Sequence, residues 1–218
     1  MPLLQFPNPI HSSSEGIIAL GGDLAPENLK LAYQKGIFPW PIPGLPLAWF
    51  CPPQRAILEL PIPHLPRSLA RAQRKLPFTY TIDQAFDKVL LACSQVPRPG
   101  QEGTWITEEI KKAYSEFHHL GHAHSIEVWK ENQLIGGIYG VDAGGAFAGE
   151  SMFHLESHAS KLAILFLSKH LESRGLTWID IQVLTPHMEA LGARLISRKE
   201  FLKKLADTQS KNLKLFQN

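Results

Sequence analysis

The chain is poor in cysteine. Only Cys51 and Cys93 occur among 218 residues, and they form neither a CxxC pair nor a metal-ligand spacing. That argues against a disulfide-stapled secreted scaffold. Charge of one sign is lacking too: 22 Lys and Arg face 20 Asp and Glu, a formal charge of +2. Bulk electrostatics of that size do not mark a nucleic-acid protein, so any RNA contact needs a local patch. No uncharged apolar run approaches ~18 residues, which excludes a simple membrane span. The opening MPLLQFPNPIHSSS has no basic n-region and no apolar h-region, so it does not read as a signal peptide and a cytoplasmic protein is expected. What remains is an ordinary globular balance, 44% hydrophobic and 19% charged, in a length suited to one domain or one domain with a small companion.

Proline, by contrast, is abundant and uneven. Nine of the 17 fall between Pro39 and Pro66. Without an N–H, proline suits irregular or edge-strand backbone, and Trp40, Trp49 and Phe50 make this stretch a rigid aromatic wall rather than a linker. Before it, LAPENLKLAYQKG predicts a helix opened by Pro26 and closed by Gly36. After it, RSLARAQRK predicts a short basic helix. Asp83 is expected to cap an amphipathic helix that turns Ala85, Phe86, Val89 and Leu90 inward. Thr107 is expected to cap another helix running to Leu120, with Glu108 and Glu109 in its first turn and Gly121 at its end. Three strands follow, 124–130, 133–141 and 146–153, whose short turns force an antiparallel meander. A buried helix at about 157–173, a strand at 176–184, a helix begun by Thr185-Pro186 and a strand near 194–197 complete the order. The β-β-β-α-β-α-β succession predicts an α+β or α/β layout with helices on a mixed sheet.

Several residues invite a chemical reading. In WIDIQ the alternation of a strand puts Trp178, Asp180 and Gln182 on one face. An exposed sheet face explains that as simply as a polar pocket does, but the apolar flanks tilt toward the pocket. Glu150, among small and apolar residues beside Gly149, is either a surface carboxylate or an acid lining the same pocket. FHHLGHAH brings His118, His119, His122 and His124 together, yet Gly121 breaks the helix that would align two of them, so no metal site is expected. Gly149-Glu150-Ser151 is not a nucleophile elbow, and neither cysteine has a nearby histidine in sequence. The basic helix says more. No Asp or Glu occurs between Leu60 and Ile82, and Arg67, Arg71, Arg74 and Lys75 share one helical face. A solvated face is the bland explanation; a grip on phosphate backbone next to a Trp-rich wall is the functional one. A second, weaker patch begins at Arg194, with seven basic residues against two acidic ones.

Taken together, GGDLAPENLKLAYQKGIFPW (21–40), TWIT (104–107), LGHAHSIEVW (120–129), LIGGIYGV (134–141), FAGESMF (147–153), ASK (159–161), IDIQ (179–182) and LGAR (191–194) resemble the leucyl/phenylalanyl-tRNA–protein transferases. The strings stand in the family's order and span nearly the whole chain. The resemblance implies a small Pro/Trp-rich N-terminal domain over 1–63 and a GNAT-like aminoacyl transferase domain over 64–218. It implies transfer of Leu, Phe or Met from aminoacyl-tRNA to the α-amine of proteins that begin with Arg or Lys, which marks them for N-end-rule degradation. An aminoacyl ester is already activated, so no cofactor, metal or covalent intermediate is implied. The expected partners are that tRNA and those acceptor proteins; no membrane is involved, and the enzyme acts as a monomer.

By the same resemblance Asp180, Gln182 and Glu150 are the catalytic residues, and Trp40 and Trp105 hold the tRNA's 3′ adenosine. Ile138, Phe147, Ile164, Leu167 and Ile179 form the aminoacyl side-chain pocket, and Arg67, Arg71, Arg74 and Lys75 take the tRNA backbone. A coenzyme A-dependent N-acetyltransferase is the alternative. Such enzymes seat a pyrophosphate on a glycine-rich loop before the long helix, whereas the junction here, FHLESHASK, has no glycine. A non-catalytic RNA-binding module would explain the basic helix but leave Glu150, Asp180 and Gln182 without a role.

Overall fold

A computed structural model describes residues 5–96 and 104–216. Among them the N-terminal part builds a three-stranded antiparallel sheet from β1 (Ile17–Leu20), β2 (Phe38–Trp40) and β3 (Ala48–Phe50), in the order β1-β3-β2. β2 and β3 are short, with prolines 39, 41, 43 and 46 in and between them limiting the ladder. α1 (Pro26–Gln34) starts on its proline as expected, and it buries Leu29, Ala32 and Tyr33.

The larger sheet has seven strands among the described residues, in the order β10-β4-β9-β8-β7-β6-β5. Its centre is the expected meander: β6 (Ala123–Lys130), β7 (Gln133–Asp142) and β8 (Phe147–His154). Glu131 and Asn132 both have positive φ, 49° and 66°, the backbone that lets a two-residue turn follow the strand twist. α5 (Ala159–Ser173) then crosses back so that β9 (Trp178–Gln182) lies parallel to β8. α6 (Pro186–Glu189), β10 (Arg194–Ser197) and α7 (Arg198–Gln209) follow. The basic C-terminal stretch is thus largely a helix, started by a capping box between Ser197 and Glu200.

Three local expectations change. The stretch Pro39–Pro66, expected to be irregular or at a sheet edge, contains β4 (Gln54–Glu59), an internal strand between β9 and β10. It fits because the segment between Pro53 and Pro61 holds no proline and every N–H can donate. β4 therefore joins the larger sheet although it precedes the boundary at 63. Second, Asp83 does not cap the next helix, α3 (Phe86–Ser94), whose N-cap is Ala85. At φ 58° it instead accepts the Ser125 N–H at 2.8 Å and lies 2.7 Å from His124 Nδ1, tying the end of β5 (Thr79–Ile82) to β6. Third, α5 begins at Ala159, after a left-handed His158. Thr107 does cap α4 (Glu108–His119).

Two cores flank the larger sheet. One joins α1, α3 and α4 with Tyr139, Val141 and Ala148. The other packs α5 and the basic helix α2 (Arg67–Lys75) over Ile126, Ile138, Phe147 and Ile179. A third, smaller cluster seats Phe201 and Leu205 of α7 on Ile57 and Trp178. No described helix is long and apolar enough to cross a membrane.

Candidate active site

The site forms where β8 and β9 stop pairing. Their parallel ladder comprises Phe147↔Ile179 and Ala148↔Asp180. Just beyond, both strands bulge. Gly140 pairs with Gly149 and Tyr139 with Ser151, so Glu150 is the extra residue of β8. Ile57 pairs with Asp180 and Ala56 with Gln182, so Ile181 is the extra residue of β9. A bulge bends its strand and re-aims the side chains on it. Gln182 is pushed further, to a left-handed φ of 54° that non-glycine residues seldom adopt. The Val183 N–H reaches back to the Ile181 carbonyl at 2.6 Å, closing a three-residue turn around it. The two bulges bring the strands' side chains together: Gln182 Nε2 donates to Glu150 Oε1 at 2.8 Å.

Behind this contact lies a residue the sequence did not single out. Arg55, on β4 and 1% exposed, donates to both oxygens of Asp180, Nε to Oδ1 at 2.8 Å and Nη2 to Oδ2 at 2.7 Å. Its guanidinium lies 4.6 Å from the Phe38 ring and 4.4 Å from the Phe201 ring. Planarity and weak hydration make arginine suited to such a slot. Burial opposes its charge, but Asp180 more than compensates and raises its pKa. Asp180 Oδ1 also accepts the Gln182 N–H at 3.0 Å, which fixes the strained turn. The face shared by Trp178 and Asp180 is therefore polar and buried, as the apolar flanks of WIDIQ suggested.

Glu150 is the titratable centre. Desolvation pushes its carboxyl up to about 8, and the charge of Asp180 adds to that. Hydrogen bonds from Tyr33 and Gln182 and the charge of Arg55 pull the other way. Tyr33 of α1 also bonds Tyr114 of α4 through the two hydroxyls. Burial raises both phenols well above their ordinary range, so they act as neutral hydrogen-bonding groups. A carboxyl poised near neutrality beside an amide can accept and return a proton.

The five apolar candidates Ile138, Phe147, Ile164, Leu167 and Ile179 are all buried in the core under α5. Two of them, Ile138 and Ile179, border the polar cluster at Gly149. A Cβ there would lie 3.8 Å from Ile138 Cδ1, Ile179 Cγ2 and the Asp180 carbonyl. Trp40 and Trp105 stack on each other, with centroids 5.2 Å apart and planes at 16°. The basic residues Arg67, Arg71, Arg74 and Lys75 are exposed on α2, which buries Leu69 and Ala72 instead and packs against α5. Three of the histidines lie close together, the His118 ring 5.8 Å from His119 and 6.5 Å from His124, and His118 and His124 both face Asp83. His118 Nδ1 also meets the Ala123 carbonyl and His119 Nδ1 the Ser115 carbonyl.

Sequence reasoning missed Arg55, Tyr33 and Tyr114. Periodicity marked Tyr33 only as part of a helix, and Arg55 lay in a segment that its prolines made look irregular.

Comparison with known proteins agrees on one family. The family model described as leucyl/phenylalanyl-tRNA protein transferase matches residues 57–206, and the model of that family's N-terminal domain matches residues 22–53. The leucyl/phenylalanyl-tRNA–protein transferase of Shewanella sp. (strain W3-18-1) is 48% identical over 210 residues, 95% of this chain and 89% of the relative. Those of Syntrophus aciditrophicus (strain SB) and Nitratidesulfovibrio vulgaris (strain DP4) are 50% and 47% identical, over 91% and 93% of this chain and 83% and 86% of theirs.

Proposed function

The chain belongs to the leucyl/phenylalanyl-tRNA–protein transferase family of aminoacyltransferases, and from that membership and the site's geometry we propose that it moves Leu, Phe or Met from tRNA to the α-amine of proteins that begin with Arg or Lys. Such transfer would mark those proteins for N-end-rule degradation. The observation that carries the mechanism is the Gln182–Glu150 contact, backed by the Arg55–Asp180 pair.

The amine attacks the ester carbonyl, a C–N bond forms, and the C–O bond to the tRNA ribose breaks. The Gln182 amide gives its N–H to Glu150, which leaves its carbonyl oxygen to accept a hydrogen bond from the incoming amine. Asp180 acts through Gln182: both its oxygens are engaged by Arg55 and the Gln182 backbone, so it positions and does not touch substrate. Glu150, near 8, matches an α-amino group whose ordinary pKa is about 8. It takes the proton that nitrogen loses and returns it to the departing ribose oxygen. Ile138, Phe147, Ile164, Leu167 and Ile179 line the dry slot for the aminoacyl side chain. Such a slot discriminates a methyl group by only ~1–3 kcal/mol, so rejection of Ile and Val is partial. The 3′ adenosine packs on the Trp40–Trp105 pair, and α2 holds phosphates. The unit 1–63 supplies Trp40 together with Tyr33 and Arg55 behind the site, and the GNAT-like unit 64–218 carries Trp105, Glu150, Asp180 and Gln182. The enzyme works in the cytoplasm as a monomer, where charged tRNA is available.

Incubation with radiolabelled Leu-tRNA and a peptide beginning with Arg should move label into the peptide. Absence of transfer, with acetylation from acetyl-coenzyme A in its place, overturns this reading.

A further inference from the structure

After α7 the chain runs back across the molecule as an irregular strap, and its last described residues end against the proposed side-chain slot. Leu213 threads between two turns. A Cβ on Gly145 would lie 3.1 Å from the Leu213 N and O, and one on Gly175 would lie 3.5 Å from Leu213 Cδ2. Close passage at the first turn thus depends on glycine, at φ +90°. Leu215 is fully buried, and its carbonyl lies 2.7 Å from His170 Nε2 near the end of α5. Phe216 then lays its ring on His124, 3.9 Å away and nearly parallel. It also meets His170 at 5.2 Å and Phe147 at 5.5 Å.

Phe147 is boxed by these contacts. On one side its ring sits over Gly140, where a Cβ would come within 2.5 Å of the ring carbon Cζ. On another it meets Phe216. Leu215 belongs to the same core as Ile138, Phe147, Ile164, Leu167 and Ile179, and Leu213 and Phe216 pack against that core. Nothing in the sequence patterning tied this tail to the slot.

We propose that the strap Leu213–Phe216 closes the far end of the aminoacyl slot, with Phe216 a positioning residue that fixes Phe147 and thereby sets the choice between Leu and Phe. This rests on the slot assignment above. Packed interiors transmit such support because a side chain deprived of a neighbour has room to shift. With Phe216 removed, Phe147 swings outward, the slot deepens, and the larger aromatic substrate gains relative to the smaller aliphatic one.

The test is the ratio of kcat/KM for Phe-tRNA over Leu-tRNA, a quantity that a general loss of stability leaves unchanged. Phe216→Ala should raise that ratio by about fivefold, less than the ~10–200-fold that a methylene in direct contact with substrate can be worth. Phe216→Leu, which keeps most of the apolar volume, should restore most of the original ratio. Phe147→Ala is the internal reference. If it shifts the ratio while Phe216→Ala lowers both substrates equally, the strap is only structural and the inference fails. If neither variant shifts the ratio, the slot assignment fails and the inference with it. If the unmodified protein transfers neither residue, the proposed function itself is overturned.

Discussion

Two groups of charges sit in this molecule under opposite conditions. Around Asp180 the charges are buried, hydrogen-bonded and paired across 125 residues of chain, from Arg55 to Asp180. On α2 four cations are exposed, on one face, with no ion pair among the described residues. In the first group each charge is useful only because its partner is in place, and removing one strands the other in a medium that cannot solvate it. In the second, water solvates each cation separately, and the group's effect is a sum of weak, salt-screened terms. The contrast separates chemistry that needs geometry from attraction that needs only sign.

The largest effect should come from breaking the buried pair. Asp180→Ala should abolish transfer and destabilise the fold by about 3–5 kcal/mol, because Arg55 is left buried and uncompensated. A denaturant melt checks this. The double variant Arg55→Met/Asp180→Leu, apolar and of similar volume, should recover most of the stability while remaining inactive. Gln182→Ala should abolish transfer with a far smaller change in stability. If Asp180→Ala melts like the parent, the pair is solvated and the comparison collapses.

A middle-sized effect concerns Glu150. Its folded value near 8 lies above the ordinary 4.5, so between those values the folded chain binds more protons than the unfolded one. Stability contributed by this group is therefore fully present below about pH 4.5 and lost as pH rises through about 8. Glu150→Gln should remove that slope, measured as the difference between the two proteins' unfolding free energies against pH. The parent's transfer rate should climb through the same upper limit as Glu150 ionises.

The smallest effect belongs to α2. Neutralising Arg71 and Arg74 should leave melting nearly unchanged and reduce the log–log salt slope of Leu-tRNA binding by about one for each phosphate no longer neutralised. A minimal aminoacyl-adenosine mimic should bind as before. Equal weakening of both ligands would give these arginines a structural role, and weakening of neither would leave α2 a solvated face.

Much of the fold is legible in local sequence because local rules decide it. Glu131-Asn132 forces a tight turn, Thr107 caps α4, and Pro26 opens α1. The alternation in WIDIQ puts Trp178, Asp180 and Gln182 on one face; it holds as far as Asp180, and the bulge at Ile181 and the left-handed backbone of Gln182 end it there. What escaped is non-local. Asp83 looked like a helix cap, but a side chain from β6 and the Ser125 amide compete for it and win. β4 was hidden among prolines, and whether a strand is internal depends on partners far along the chain. The catalytic candidates were visible as isolated polar residues in apolar surroundings. Their joining was not, because it depends on two bulges and on an arginine that no periodicity singles out.

The position of β4 bears on how the protein is made. Both neighbours of this strand, β9 and β10, come from the end of the chain. While the ribosome is still extending α5, β4 has no hydrogen-bonding partner on either edge, and Arg55 has no counter-ion. Contacts between segments so distant in sequence close late and slowly. The half-made chain therefore carries an exposed strand and an unmatched cation until β9 and β10 emerge, and this is when a holdase chaperone has most to protect. Transfer activity should accordingly appear only once β9 and β10 have been made and have paired with β4.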